Sequence, residues 1–217
     1  MLITEKIYVG LCSLFSILII VGNLTYQKFV SLNFLSFYHF QLSVGAILYP
    51  VTFLITDLIA EFFGKERTNF CVKVALTLNI LVAFIIMIMD ALPATSWSKI
   101  SDQAFHNIFG FYLVAFLGSI IACYLAQTID VIIYLWIRNK TKNKHLWLRN
   151  NLSTAVSLLI DTCIVIIFLT IFEILSKEQM YALIFNSYIW KLFFTICSTP
   201  LFYGCVSITN IMIKRTS

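Results

Sequence analysis

The chain has 217 residues, 60% of them hydrophobic and only 12% charged, whereas soluble globular chains carry roughly 25% charged residues. So few charges cannot cover a water-facing surface, which excludes a soluble enzyme domain, a nucleic-acid-binding protein and a disordered regulator. The formal net charge of +5 is mildly basic, and the placement of the cations reads as membrane orientation, with no need of an anionic partner.

A helix needs about 20 mostly apolar residues to cross a hydrocarbon core ~30 Å thick. Six stretches meet this, at about 7–26, 43–63, 69–89, 109–137, 152–175 and 188–213. They predict an all-α integral membrane protein, a single transmembrane domain over 1–217 built as a six-helix bundle. The first stretch is read as retained, because no small-x-small cleavage site precedes the polar run Asn23–Lys28. After it, the aromatic and half-polar segment Phe34–Gln41 is expected at the outer interface. The runs are continuous and do not alternate, which excludes membrane β-strands.

An even number of spans puts both termini on one side. The loops on that side hold Lys6, Lys65, Arg67, Lys73, the run Arg138–Arg149, Lys214 and Arg215, eleven of the fifteen cations. Lys28, Lys99, Lys177 and Lys191 fall on the other side. This asymmetry predicts cytoplasmic termini; the basic run could alternatively hold anionic lipid headgroups.

Several chemistries are missing. No phosphate loop or Gly-rich dinucleotide turn is present, nor any Gly-x-Ser-x-Gly elbow. His39, His106 and His145 are scattered, and the six cysteines lack CxxC spacing, so no metal or other cofactor is expected and the cysteines read as small hydrophobes. The chain is not read as an enzyme.

The informative residues are polar ones inside the spans, since an ionised group at the bilayer centre costs from about 2.5 kcal/mol upwards. Span 2 carries Asp57 and Glu61, span 4 carries Gln127 and Asp130, span 5 carries Asp161, and span 1 carries Asn23. At 100° per residue, Pro50, Leu54, Asp57 and Glu61 share one face, as do Cys123, Gln127, Asp130 and Tyr134, and Asn150, Ser153, Ser157 and Asp161. At 1.5 Å per residue, Asp57 and Asp130 each lie about 12 Å from their cytoplasmic anchors and Asp161 about 18 Å from its own. Three carboxylates thus share one slab at the depth where carriers hold substrate; Asn150 and Ser153 also fit plain interhelical packing. Glu61, nearer the boundary, reads as solvated. Pro50 and Pro200 mark either kinks or broken helices lining a site. Lys191 opens the last predicted span beside Trp190, and either snorkels outward or pairs with a carboxylate.

The strings YPVTFLITDLIAEFFG (49–64), AQTIDVIIYLWIR (126–138), NLSTAVSLLIDT (151–162) and YIWKLFFTICSTPLFYG (188–204) resemble the bacterial queuosine-precursor transporter family, over all six spans and in order. The resemblance implies an inner-membrane carrier, similar to the binding subunits of vitamin uptake systems, that imports 7-deazaguanine bases such as the cyano or aminomethyl precursors or queuine. These feed the queuosine modification of tRNA. The substrate contacts it implies are Asn23, Phe53, Thr56, Asp57, Gln127, Asp130, Asp161, Lys191 and Tyr203, with Ser157 beside them on the span-5 face. One position departs: Leu158 stands where family members often have Gln or Asn.

The chemistry is consistent with such a cargo. A guanine-like edge offers an N–H and an NH₂ side by side, which one carboxylate can accept together. Asn23 and Gln127 bring both a donor and an acceptor, while Phe53, Tyr134 and Tyr203 offer stacking faces. On this view Asp161 and Asp130 recognise the base, and Asp57 serves a cationic amine or a coupling proton. The expected partners are a small nucleobase and membrane lipid, and no nucleic acid. An energising partner enters with one alternative, a binding subunit of an ATP-driven complex, for which Ala122-x-x-x-Ala126 is a candidate docking stripe. A proton or cation channel is the other.

Overall fold

The computed structural model describes residues 3–34, 38–110 and 112–214; for 33–34, 38–40, 112–115 and 212–214 only the backbone is described. In chain order the elements are α1 (Ile3–Thr25), β1 (Phe29–Phe34), β2 (Tyr38–Ser43), α2 (Val44–Ile47), α3 (Tyr49–Asp90), α4 (Asp102–Phe109), α5 (Tyr112–Lys140), α6 (Leu146–Ile171) and α7 (Lys177–Lys214). Among the described residues, five helices are long and apolar enough to cross a membrane: Ile3–Thr25, Val44–Asp90, Phe116–Lys140, Leu146–Ile171 and Lys177–Ile211. Their outer faces carry exposed Ile17, Ile80, Ile121, Ile167 and Ile196, a surface that suits lipid and not water.

Val44–Asp90 is not one straight helix. At Gly64 the backbone takes φ 77°, ψ 179°, a conformation essentially reserved for glycine. The side chains show what this does. Tyr8 near the start of α1 meets Phe63 just before the break, with ring centroids 5.2 Å apart, while Gly22 near the end of α1 meets Gly45. That stretch therefore runs antiparallel to α1. Beyond the break, Tyr8 donates to the Arg67 carbonyl and Asn23 to Asn79, so this stretch runs parallel to α1. The chain reverses at Gly64, and the two apolar segments expected at 43–63 and 69–89 are the two limbs of that hairpin.

The later helices alternate in the same way. Gly118 of α5 lies against Phe168 of α6, and Asp130 against Ser157; Asn151 of α6 pairs with Thr199 of α7, and Asp161 with Lys191. Both pairs are antiparallel, and α5 and α6 share the most extensive interface.

Three differences from the sequence expectation have physical causes. First, the molecule is not wholly helical: β1 and β2 pair antiparallel from Phe29 opposite Ser43 to Phe34 opposite Tyr38. FVSLNF and YHFQLS alternate apolar and polar residues with the period of a strand. This hairpin holds most of the segment read as interfacial, of which 35–37 lies outside the described residues. Second, α6 begins at Leu146 and α7 at Lys177, not at 152 and 188, because a helix satisfies its own backbone and continues through polar residues that hydropathy excludes. Third, Pro50 sits in the first turn of α3, directly after the joint at Leu48. Its missing N–H and its ring disfavour continuation from α2, so the apolar stretch is broken there. Pro200 lies inside α7.

Candidate functional site

The break at Leu48 leaves α2 and the start of α3 facing a cavity. Its volume is about 100 Å³, part of it open to the outside, which is smaller than the ~300–1,000 Å³ typical of small-molecule sites. Its polar wall comes from Asn23, Ser119, Tyr49, Asp161, Thr162 and Lys191, and the hairpin contributes Phe29 and Ser43 at one end.

Asp161 and Lys191 form the core of this wall. Lys191 Nζ donates to Asp161 Oδ2 at 2.9 Å and to Thr162 Oγ1 at 3.0 Å, and the Tyr49 hydroxyl donates to Asp161 Oδ1 at 2.8 Å. The ammonium lies 4.7 Å from the Tyr49 ring centroid, close enough for a cation–π contact. Only 5% of Lys191 and 2% of Asp161 are exposed, so this is a buried ion pair whose loss of hydration is offset by hydrogen bonds to each partner. Lys191 is thus neither the opener of its helix nor an outer-loop cation. It lies about 21 Å along α7 from Lys177 at 1.5 Å per residue, and of the two readings open to it, pairing with a carboxylate is the one realised. Each Asp161 oxygen keeps a further lone pair, and the ammonium a third N–H.

Across the cavity, Asn23 Oδ1 accepts from Ser119 at 2.6 Å and its Nδ2 donates to Asn79 at 3.4 Å.

A second polar layer lies deeper. Thr56 donates to Gln127 Oε1 at 2.8 Å. Thr154 donates to Asp57 at 3.4 Å and Ser157 to Asp130 at 3.3 Å. Asp57, Asp130, Gln127, Thr56, Ser153 and Ser157 are at most 1% exposed and do not line the cavity. Phe53 is also fully buried, packing on Ala126 and on Leu158, so the position of Leu158 is filled by apolar packing and not by a polar contact. The edge of Phe53 meets Tyr49 at 5.7 Å.

A third layer closes the far end of the bundle. Glu61 accepts from Arg149 Nη2 at 2.7 Å and from the Tyr134 hydroxyl at 3.0 Å, while Arg138 donates to the Glu61 and Ala60 carbonyls. Glu61 is therefore paired across helices and not merely solvated, and Arg149, counted among the loop cations, is 2% exposed.

Of the sequence candidates, the structure brings Asn23, Asp161 and Lys191 to one cavity. It gathers Thr56, Asp57, Gln127, Asp130 and Ser157 in the layer beneath. Tyr203 is elsewhere, half-exposed, its hydroxyl accepting from the Trp147 backbone N–H at 3.2 Å. Tyr134 stands under Arg149, 5.4 Å from its ring centroid. Tyr49, Asn79, Ser119 and Thr162 were not among the candidates. The criterion that selected Asn23, a polar side chain inside an apolar run, also selects Asn79 and Ser119. Ala122 and Ala126 are fully buried, so this pair offers no stripe to a docking partner.

A family described as "Putative vitamin uptake transporter" matches residues 43–205. A Bacillus subtilis protein named "Probable queuosine precursor transporter" is 31% identical over 166 residues, covering 75% of this chain and 70% of that protein. A Haemophilus influenzae protein of the same name is 25% identical over 193 residues, 87% of this chain and 77% of that protein. No solved structure matches the chain.

Proposed function

The chain belongs to the vitamin uptake transporter family, and from that premise we propose that it carries queuosine precursors, 7-deazaguanine bases, across the bacterial inner membrane. The observation that carries this reading is the buried Tyr49–Asp161–Lys191 constellation in the wall of the cavity. The free lone pairs of Asp161 accept the adjacent N–H and NH₂ of a guanine-like edge, and the remaining ammonium N–H of Lys191 donates to the ring carbonyl. Asn23 supplies a donor and an acceptor from the opposite wall, and Tyr49 and Phe29 offer ring faces. The deeper layer of Asp57, Asp130, Gln127, Thr56 and Ser157, and the more remote Phe53 and Tyr203, act behind this first contact surface.

The alternating helix directions and the reversal at Gly64 support six crossings, and the cation asymmetry supports cytoplasmic termini. The cavity, open on the hairpin side, then faces outward, and the Glu61–Arg149–Arg138 layer closes the cytoplasmic side.

The test is tRNA queuosine content in a bacterium that neither makes these bases nor has its own importer. Expression of this chain with one base supplied at nanomolar level is expected to restore queuosine, and Asp161→Asn at equal membrane abundance to abolish it. Failure with every base despite confirmed expression would overturn the reading. Restoration in a host without any ATP-driven energising module argues against an energising partner.

A further inference from the structure

The buried charges do not balance layer by layer. Glu61 is matched by Arg149 and Arg138, and Asp161 by Lys191. Asp57 and Asp130, between these layers, have no ion-pair partner within 4 Å among the described residues, yet their carboxyl groups lie within hydrogen-bonding reach of each other. The Thr154 and Ser157 hydroxyls donate one hydrogen bond to each carboxyl group, and Ser153 faces Asp130. Asp57 Oδ1 and Asp130 Oδ2 accept no hydrogen bond from any described donor, and the Ser153 hydroxyl is left over. Two ionised carboxylates in contact in a dry interior repel strongly, and acceptor cannot bond acceptor. Something positive belongs between them.

Size decides what that is. Asp57 is 1% exposed and Asp130 0%, and neither lines the cavity. A cationic amine or a hydrated metal ion needs space of its own; a proton needs none. We propose that the Asp57–Asp130 pair is a proton-binding site, distinct from the base site, that couples inward movement of the base to inward movement of a proton. The coupling rests on the carrier reading above; the proton site itself does not.

The surroundings suit a relay. On α6, Asp161 stands one turn outward of Ser157 and Asn150 one turn inward of Thr154, so both sites share one buried helix face. The charged and titratable groups facing the pair are Arg149 from α6, Tyr134 from α5, and Glu61 one turn further along α3. Glu61 engages Arg149 Nη2 and the Tyr134 hydroxyl, while Arg149 Nε and Nη1 have no hydrogen-bond partner among the described residues and their charge acts on Asp57, so the pair exchanges its proton as a unit beside a fixed cation.

The test uses the purified full chain in liposomes and the neutral 7-cyano-7-deazaguanine, whose charge does not change with pH. The membrane potential is clamped by potassium and valinomycin, with the interior one pH unit more alkaline. Coupling to one proton is expected to concentrate the base about tenfold inside, since one pH unit and a tenfold ratio are the same free energy. A protonophore is expected to abolish the accumulation, and Asp57→Asn to show none. Exchange of labelled for unlabelled base with no response to the gradient would overturn the coupling, as would accumulation driven only by a sodium gradient. Absence of any exchange would instead overturn the carrier reading. The proton site is judged separately by infrared spectroscopy: a protonated carboxyl band at neutral pH is expected in the wild type, shifted in Asp130→Glu and lost in the Asp57→Asn/Asp130→Asn double variant. Its absence from the wild type would overturn the site.

Discussion

Single side chains carry the polar interior, and their removal is asymmetric. Lys191→Ala leaves Asp161 buried with no cation, and breaking a buried pair in this way costs about 3–5 kcal/mol. Tryptophan-fluorescence melting of the detergent-purified variant is expected to show a markedly lower midpoint, with part of the loss recovered in Lys191→Met/Asp161→Asn. Tyr49→Phe keeps the ring under Lys191 and removes only the 2.8 Å hydrogen bond to Asp161. That costs about 1–3 kcal/mol in a buried site, and base uptake is expected to fall well below wild type at equal membrane abundance. Asp161 and Lys191 stand out in the sequence because a charge inside an apolar span is expensive. Tyr49 does not, because a tyrosine inside an apolar run reads as apolar bulk; only the placement of its hydroxyl on Asp161 distinguishes it from Tyr203.

At the scale of elements, two glycines decide how apolar segments meet. Gly64 turns one apolar stretch into a hairpin, and nothing lies within 4 Å of where its Cβ would be. Gly64→Ala therefore suffers from backbone strain alone, about 1–3 kcal/mol, seen as reduced membrane abundance and a lower melting midpoint. At Gly45 the conformation is ordinary, but a Cβ would run into the Gly22 carbonyl of α1. Gly45→Ala is expected to push α1 from α2 and open the cavity wall, so uptake falls more than thermal stability does. The hydropathy of the chain locates the centres of these helices well and their ends poorly. Leu146–Asn151 and Lys177–Ser187 join their helices because intrahelical hydrogen bonding, not apolarity, sets where a helix stops. The hairpin Phe29–Ser43 has the alternation of a strand pair, but a window tuned to membrane spans passes over it.

For the whole molecule, the orientation is open to direct labelling. With the native cysteines replaced by serine, Ser98→Cys is expected to react with a membrane-impermeant maleimide applied to intact spheroplasts. Asn143→Cys, in the turn between α5 and α6, is expected to react only after lysis. The reverse pattern would invert the topology and, with it, the side to which the cavity opens.

What the sequence determines by itself is the class of protein, the order of its apolar segments and the identity of the polar residues they bury. Each of these follows from the cost of exposing apolar groups to water or charges to lipid, and that cost is local to the residue. Position along each helix is also readable, since the rise per residue is fixed. Which of Asp57, Asp130 and Asp161 meet is not readable. The rotation of each helix about its axis is set by packing against its neighbours, such as Phe53 on Leu158 and Gly118 on Phe168, and lipid, as apolar as the side chains themselves, adds no preference. The tertiary structure alone therefore divides the three carboxylates into Asp161, paired with Lys191 at a cavity, and Asp57 with Asp130, paired with each other beneath it.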